Sequence, residues 1–226
     1  MEKAICLVVA GYLVGSIPFG YVLVRVARGD DVRRHGSHNV GAINVFRVGG
    51  KALGLLTLLL DSGKAFALVL LASVWTAQPA VIAATAFSVV VGHAYSVWFL
   101  LREGRFSEGK SVACGLGILV ALGALGAIPW LSALTPIGVW VTFLVGPRIL
   151  TGRWWCISMA TMAAVVSVPI AVWSAHPDAL YLALSAGMSA LIMVRHKNNI
   201  RRLLSGTEPR LSEMPKQARH AAYSSP

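Results

Sequence analysis

Along the chain, apolar residues come in long runs broken by short polar strings. Seven runs approach the length of a bilayer-spanning helix: Ala4 to Val26, Ala52 to Trp75, Pro79 to Leu101, Ser111 to Ile128, Leu134 to Leu150, Trp155 to Trp173, and Ala179 to Val194. Each is predicted to be an α-helix, because a spanning segment must satisfy its own backbone in hydrocarbon. Only the Pro129-Trp130 turn separates the fourth run from the fifth. The first run contains Gly15, Pro18 and Gly20 with no small-residue cleavage pattern after it, so it reads as a span and not as a signal peptide. The expected fold is all-α: a polytopic integral membrane protein with seven transmembrane helices. One helical domain over residues 1–208 and a disordered tail over 209–226 are expected.

Composition supports this class. The chain has 226 residues, 56% hydrophobic and only 13% charged, with a mean hydropathy of +0.69. A soluble domain of this size has too little interior for that much apolar surface, and the same figures exclude disorder. The three cysteines, Cys6, Cys114 and Cys156, lie inside apolar runs at no metal-binding spacing. They read as small buried apolar side chains, with no disulfide and no metal site.

Charge then orients the spans. Of the 20 Lys and Arg residues, Lys3 precedes the first run and Lys64 lies within the second. With the N-terminus outside and seven crossings, the other eighteen fall on the inner side, and the C-terminus is cytoplasmic. Trp75, Trp130 and Trp173 then mark the outer ends as an aromatic belt. A net charge of +11 fits positive-inside bias and anionic lipid, and with no soluble basic domain it does not indicate a nucleic-acid partner.

Three polar strings fall on that inner side. The first runs from Arg33 to Arg47 and contains Gly36, Ser37, Asn39, Gly41 and Asn44. Its small residues allow backbone N–H groups to converge on an anion, its Ser and Asn side chains supply donors, and Arg47 offers a bidentate phosphate clamp. A plain Gly/Asn turn explains the same residues equally well. The second string pairs Gly92-His93 with the stretch Arg105 to Ser111, whose Gly109-Lys110-Ser111 triplet opens an apolar helix. A helix start with a lysine and a hydroxyl suits an anion, although a positive-inside flank would look alike. The third string runs from Arg195 to Glu208. His196, Asn199 and Arg202 stand three apart, on one helical face. A basic tail on anionic lipid accounts for the arginines but not for the His, Asn and Glu. Asp61 and Lys64, also three apart, sit deep in the second span and read as a structural intramembrane pair.

Together these strings resemble the bacterial acyl-phosphate-dependent glycerol-3-phosphate acyltransferase family, the PlsY type. Gly15-Ser16-Ile17-Pro18-Phe19-Gly20 is similar to its opening signature. Gly36-Ser37-x-Asn39-x-Gly41-Ala42-x-Asn44-x-x-Arg47 is similar to its first cytoplasmic motif, and His196-x-x-Asn199-Ile200-x-Arg202-Leu203-x-x-Gly206-x-Glu208 to its third. Gly92-His93 and the Gly109-Lys110 stretch resemble the second, which usually ends Lys-Gly-Gly-Lys-Gly and here reads Ser107-Glu108-Gly109-Lys110-Ser111. Asp61 and Lys64 also match family positions, and Ser158 is the best match to a mid-chain serine. In the first motif Ile43 replaces a hydroxyl residue and His38 a glycine.

The resemblance implies a multi-pass protein of the bacterial cytoplasmic (inner) membrane with its active site on the cytoplasmic face. It implies acyl transfer from acyl phosphate to the 1-hydroxyl of sn-glycerol 3-phosphate, giving lysophosphatidate and phosphate as the first step of phospholipid synthesis. No cofactor, coenzyme A or acyl carrier protein is implied; the partners are the two substrates and membrane lipid, and the protein is expected to be a monomer. The implied catalytic residues are Ser37, Arg47, Lys110, His196 and Asn199. Gly36, Asn39, Gly41, Asn44, Gly109, Ser111 and Arg202 are the implied substrate-binding residues. Other acyltransferase and lipid-synthase classes are disfavoured: no histidine has Asp five positions on, and no Asp-x-x-x-Asp occurs. The alternative is a catalytically altered relative that keeps the cradle for binding or transporting a phosphate ester.

Overall fold

In a computed structural model the chain is described over residues 1–106, 109–152, 156–175 and 178–209. It divides into two compact units, Met1–Ala121 and a second that begins at Leu122.

The first unit opens with a broken span. Helix α1 (Glu2–Gly15) and helix α2 (Phe19–Arg28) are separated at Ser16-Ile17-Pro18, where the proline cannot donate a ladder hydrogen bond. A short 3₁₀ turn (Val32–Arg34) and helix α3 (Ala42–Gly49) follow. Helix α4 (Lys51–Trp75) is unbroken, and α5 (Pro79–Ala94) continues after a break at Tyr95-Ser96 into α6 (Val97–Glu103). Helix α1 packs along α5, and α3 and α5 pack on α4. The α1–α5 contact is close because it is made by small residues. A Cβ on Gly15 would overlap the backbone of Val89, and one on Gly92 would overlap that of Tyr12.

Helix α7 (Val112–Ala124) fills the place of the fourth expected span. At thirteen residues it is about 20 Å long, short of a full hydrocarbon core. In the second unit α8 (Trp130–Thr151) packs on α9 (Ile157–Ala175), and α9 on α10 (Ala179–Arg195). Helix α11 (Lys197–Leu204) leaves α10 at 60°. Among the described residues five helical stretches are long and apolar enough to cross a membrane, or six if the bent α10–α11 pair counts as one.

Their outer faces carry exposed Leu55, Leu59, Val74, Leu131, Ile149 and Ile170, as lipid-facing positions require. Trp75 and Trp130 lie at helix ends and Trp173 near one, all exposed. The cysteines depart from expectation: Cys114 is buried, but Cys6 is exposed and Cys156 only half-buried. An apolar side chain in a spanning helix is as stable against lipid as inside the bundle, so hydrophobicity does not decide burial there.

Candidate active site

The first polar string is folded by one side chain. Val32 and Val40 are buried with Tyr21, Val24, Val45 and Phe99, which pins both ends of the loop. Asn44, early in α3 and almost fully buried, ties the segment between them. Its Oδ1 accepts from the Ser37 N–H at 2.8 Å. Its Nδ2 donates towards the carbonyls of Val32 (2.9 Å), His35 (3.1 Å) and Asn39 (2.8 Å). Gly36 has φ +61°, and a Cβ there would collide with Asn44 Oδ1. Asn39 Oδ1 accepts from the Gly41 N–H at 2.7 Å, an Asx turn that delivers the chain into α3. Asn39 and Asn44, nominated as substrate ligands, thus use these amide groups to build the cradle. Half-buried Ser37 stands on it, and Arg47 follows Asn44 by one turn on α3.

The second string is moulded on α5. A Cβ on Gly109 would overlap the His93 carbonyl oxygen and lie 2.9 Å from its ring Cδ2. Ser111, at φ +58°, donates its hydroxyl to the Val90 carbonyl at 2.9 Å. Lys110 is held between these two fixed points, just ahead of α7. Behind it the Asp61–Lys64 pair proves to be a cluster of three. Lys64 Nζ lies 2.8 Å from Asp61 Oδ1 and 3.1 Å from His93 Nδ1. It also donates to the Ile17 carbonyl at 2.7 Å. Ser107 and Glu108, the altered part of the second motif, lie outside the described residues.

In the second unit His196 sits at the break between α10 and α11. Its Nδ1 donates to the Ile192 carbonyl at 2.8 Å, which requires Nδ1 to carry a hydrogen. Asn199 and Arg202 share one face of α11, as their spacing predicts, and both turn to Glu208. Asn199 Nδ2 donates to Glu208 Oε1 and to Ser158 Oγ, each at 2.8 Å. Arg202 Nε donates to Glu208 Oε2 at 2.7 Å, and the Ser158 hydroxyl also donates to the carboxylate. Burial works to raise the Glu208 carboxyl, but the hydrogen bonds from Ser158, Asn199 and Arg202, with the Arg202 charge, outweigh it and leave the group below its ordinary range. Asn199, expected on substrate, therefore has its Nδ2 group directed to Ser158 and Glu208.

Sequence reasoning gave Glu208 no role of its own and did not join His93 to Lys64. The available signal for Glu208 was its sign, one acid closing a basic string. No spacing rule links His93 to Lys64, because the pairing depends on how α5 meets α4.

The glycerol-3-phosphate acyltransferase family model matches residues 5–206. The chain is 39% identical to the glycerol-3-phosphate acyltransferase of Thermosynechococcus vestitus, over 91% of this chain and 93% of that one. It is also 39% identical to that of Brucella suis biovar 1, over 89% and 90%. The crystal structure of PlsY, an integral membrane glycerol 3-phosphate acyltransferase, in its glycerol 3-phosphate form superposes with a TM-score of 0.79 at 34% identity, over 94% of this chain and 97% of that one. The lysophosphatidic acid form of PlsY gives 0.76 at 32% identity, over 96% and 99%. With its all-helical membrane architecture and motif-bearing cradle, the chain belongs to the glycerol-3-phosphate acyltransferase family.

Proposed function

We propose that the protein transfers an acyl group from acyl phosphate to the 1-hydroxyl of sn-glycerol 3-phosphate, giving lysophosphatidate and phosphate. The observation that carries the reading is the cradle: one buried asparagine folds a Gly/Ser loop and presents Ser37 and Arg47 from the same short helix and turn. The relatives are glycerol-3-phosphate acyltransferases by name, and the solved relatives are described as glycerol 3-phosphate and lysophosphatidic acid forms.

In this reading the hydroxyl oxygen attacks the acyl carbonyl carbon. The new ester C–O bond forms as the bond from acyl carbon to phosphate oxygen breaks, and phosphate leaves with the electron pair. The hydroxyl proton passes to a substrate phosphate oxygen, so no enzyme-bound acyl intermediate is needed. Arg47, Lys110 and Arg202 offset the negative charge of the two substrates. Ser37 donates to a phosphate oxygen, and His196 orients the attacking hydroxyl. Asn199 is a positioning residue that fixes Glu208, through which Arg202 is held; Asn44, Asn39, Gly36, Gly41, Gly109 and Ser111 shape the two anion loops.

The same reading places the protein in the cytoplasmic (inner) membrane with seven crossings, α7 and the bent α10–α11 pair included, the N-terminus outside and the polar strings facing the cytoplasm. Residues 1–208 act as a single catalytic domain in a monomer. Purified protein given radiolabelled glycerol 3-phosphate and palmitoyl phosphate is expected to release labelled lysophosphatidate. Binding of glycerol 3-phosphate without turnover would instead establish the non-catalytic alternative.

A further inference from the structure

A cleft of about 590 Å³ opens on the first unit. Arg33, Arg34 and His38 bring the first polar loop to its wall, but Ser37, Asn39, Asn44, Arg47 and Lys110 do not line it, so it lies beside the cradle and uses other side chains. Five arginines and two carboxylates face it, a net charge of +3.

The two carboxylates are already used. Arg33 forks onto Glu103 at 2.9 and 2.7 Å and reaches Asp31 at 2.6 Å. Its guanidinium is stacked 4.3 Å from the Phe99 ring centre and 5.0 Å from that of Tyr21. This fixed arrangement forms the floor. The other four arginines keep most of their donors. Arg34 is exposed, and its charge acts on the Asp31 carboxylate that Arg33 already forks onto. Arg105 is 82% exposed, with its nearest carboxylate oxygen 3.8 Å away. Arg102 uses one Nη on the Tyr21 hydroxyl, and Arg25 uses one on the Gly29 carbonyl. Charges serving topology alone would need no concave wall and no stacked, forked floor beneath them.

Guanidinium forks around a concavity match the oxygens of a phosphate group, and the positive field raises the local anion concentration. The volume far exceeds that of inorganic phosphate and suits a small phosphate ester. We propose that this cleft is a second anion site that takes a phosphate ester. The ester could come from an anionic phospholipid headgroup in the surrounding leaflet or from a soluble phosphomonoester.

The test uses full-length protein in uncharged detergent and the variant Arg34→Glu/Arg105→Glu, whose side chains are exposed and outside the transfer cradle. Bound phosphatidylglycerol is counted by native mass spectrometry, and glycerol 2-phosphate binding is measured calorimetrically. The double variant is expected to melt as wild type does and keep acyl transfer at saturating substrate, while losing affinity for at least one of the two probes by at least about tenfold. Loss for phosphatidylglycerol alone identifies the source as lipid, loss for the monoester alone as soluble, and loss for both as a shared site. Arg47→Ala should abolish transfer yet keep this binding, which separates failure of the cleft from failure of the transfer reading. Wild-type affinity of the double variant for both probes would overturn the proposal. Should it melt early, Arg34→Gln/Arg105→Gln replaces it, with the same outcomes.

Discussion

Asn44→Ala tests the claim that one side chain folds the first polar loop. Its amide has two hydrogens for the carbonyls of Val32, His35 and Asn39 and one oxygen for the Ser37 N–H. At most three full hydrogen bonds are therefore present, one of them shared between two carbonyls. At about 1 kcal/mol each their net loss is about 3 kcal/mol. Val32 and Asn39 are 0% and 4% exposed, so their carbonyls would find little water, which adds about 1–2 kcal/mol. A total of about 3–5 kcal/mol corresponds to a fall in Tm of about 6–20 °C for a chain of this length. Thermal unfolding in detergent measures it, and a turnover assay below the new Tm should show acyl transfer largely lost. Asn44→Asp sharpens the test. A carboxylate still accepts from Ser37 but faces three carbonyls with no proton to offer. It should be at least as damaging as alanine at neutral pH and should recover in part as acid protonates it. A wild-type Tm for Asn44→Ala would refute the reasoning.

Four further outcomes are expected. Arg47→Lys keeps the charge but loses the fork, and should raise the KM for glycerol 3-phosphate about ten- to a hundredfold; an unchanged KM would make Arg47 a topology determinant only. Gly109→Ala forces a Cβ onto the His93 carbonyl and should cost about 1–3 kcal/mol in melting experiments together with most turnover, whereas Gly63→Ala, with nothing within 4 Å, should be neutral. Glu208 is held below its ordinary value of 4.5, so its stabilising contribution is fully present above that pH and is lost as pH falls through the folded-state value. The stability gap between wild type and Glu208→Gln, followed by denaturation across pH, should therefore close on acidification, and a constant gap would contradict the network. In a cysteine-free background, thiols placed at residues 37 and 205 should label only from the cytoplasm and those at 78 and 174 only from outside; outside labelling of residue 37 would reverse the orientation.

The spans were legible because hydrocarbon imposes a one-dimensional rule: a long apolar run must be a helix. Lys51–Trp75 and Pro79–Glu103 fall almost where the runs do. The helix breaks were harder to read. Ser16-Pro18 and Tyr95-Ser96 sit inside runs of unbroken hydrophobicity, and their cost is offset by groups distant in sequence. The motifs nominated Ser37, Arg47, Lys110 and His196, but not how the side chains around them are held. Asn44 and Asn199 belong to the same motifs as Arg47 and His196, yet their amides turn towards protein. That distinction depends on where Val32, Ser158 and Glu208 arrive in three dimensions, which spacing does not encode.

The break in the first span has a consequence for how the chain is assembled. It leaves carbonyls at Ser16 and Ile17 that hydrocarbon cannot hydrate. Apart from the Phe19 N–H on the Ile17 carbonyl, their side-chain partners are the Ser96 hydroxyl, 80 residues downstream, and the Lys64 ammonium, 47 residues downstream. A ribosome delivers the elbow long before either one. Until the third crossing has entered the bilayer, the first must wait straightened, displaced towards the aqueous surface, or shielded by an insertion factor. This segment is thus made before its partners and is among the last to settle. A lesion at Lys64 or Ser96 would register during biogenesis, as a shortage of inserted protein, before it registered in the rate of any reaction.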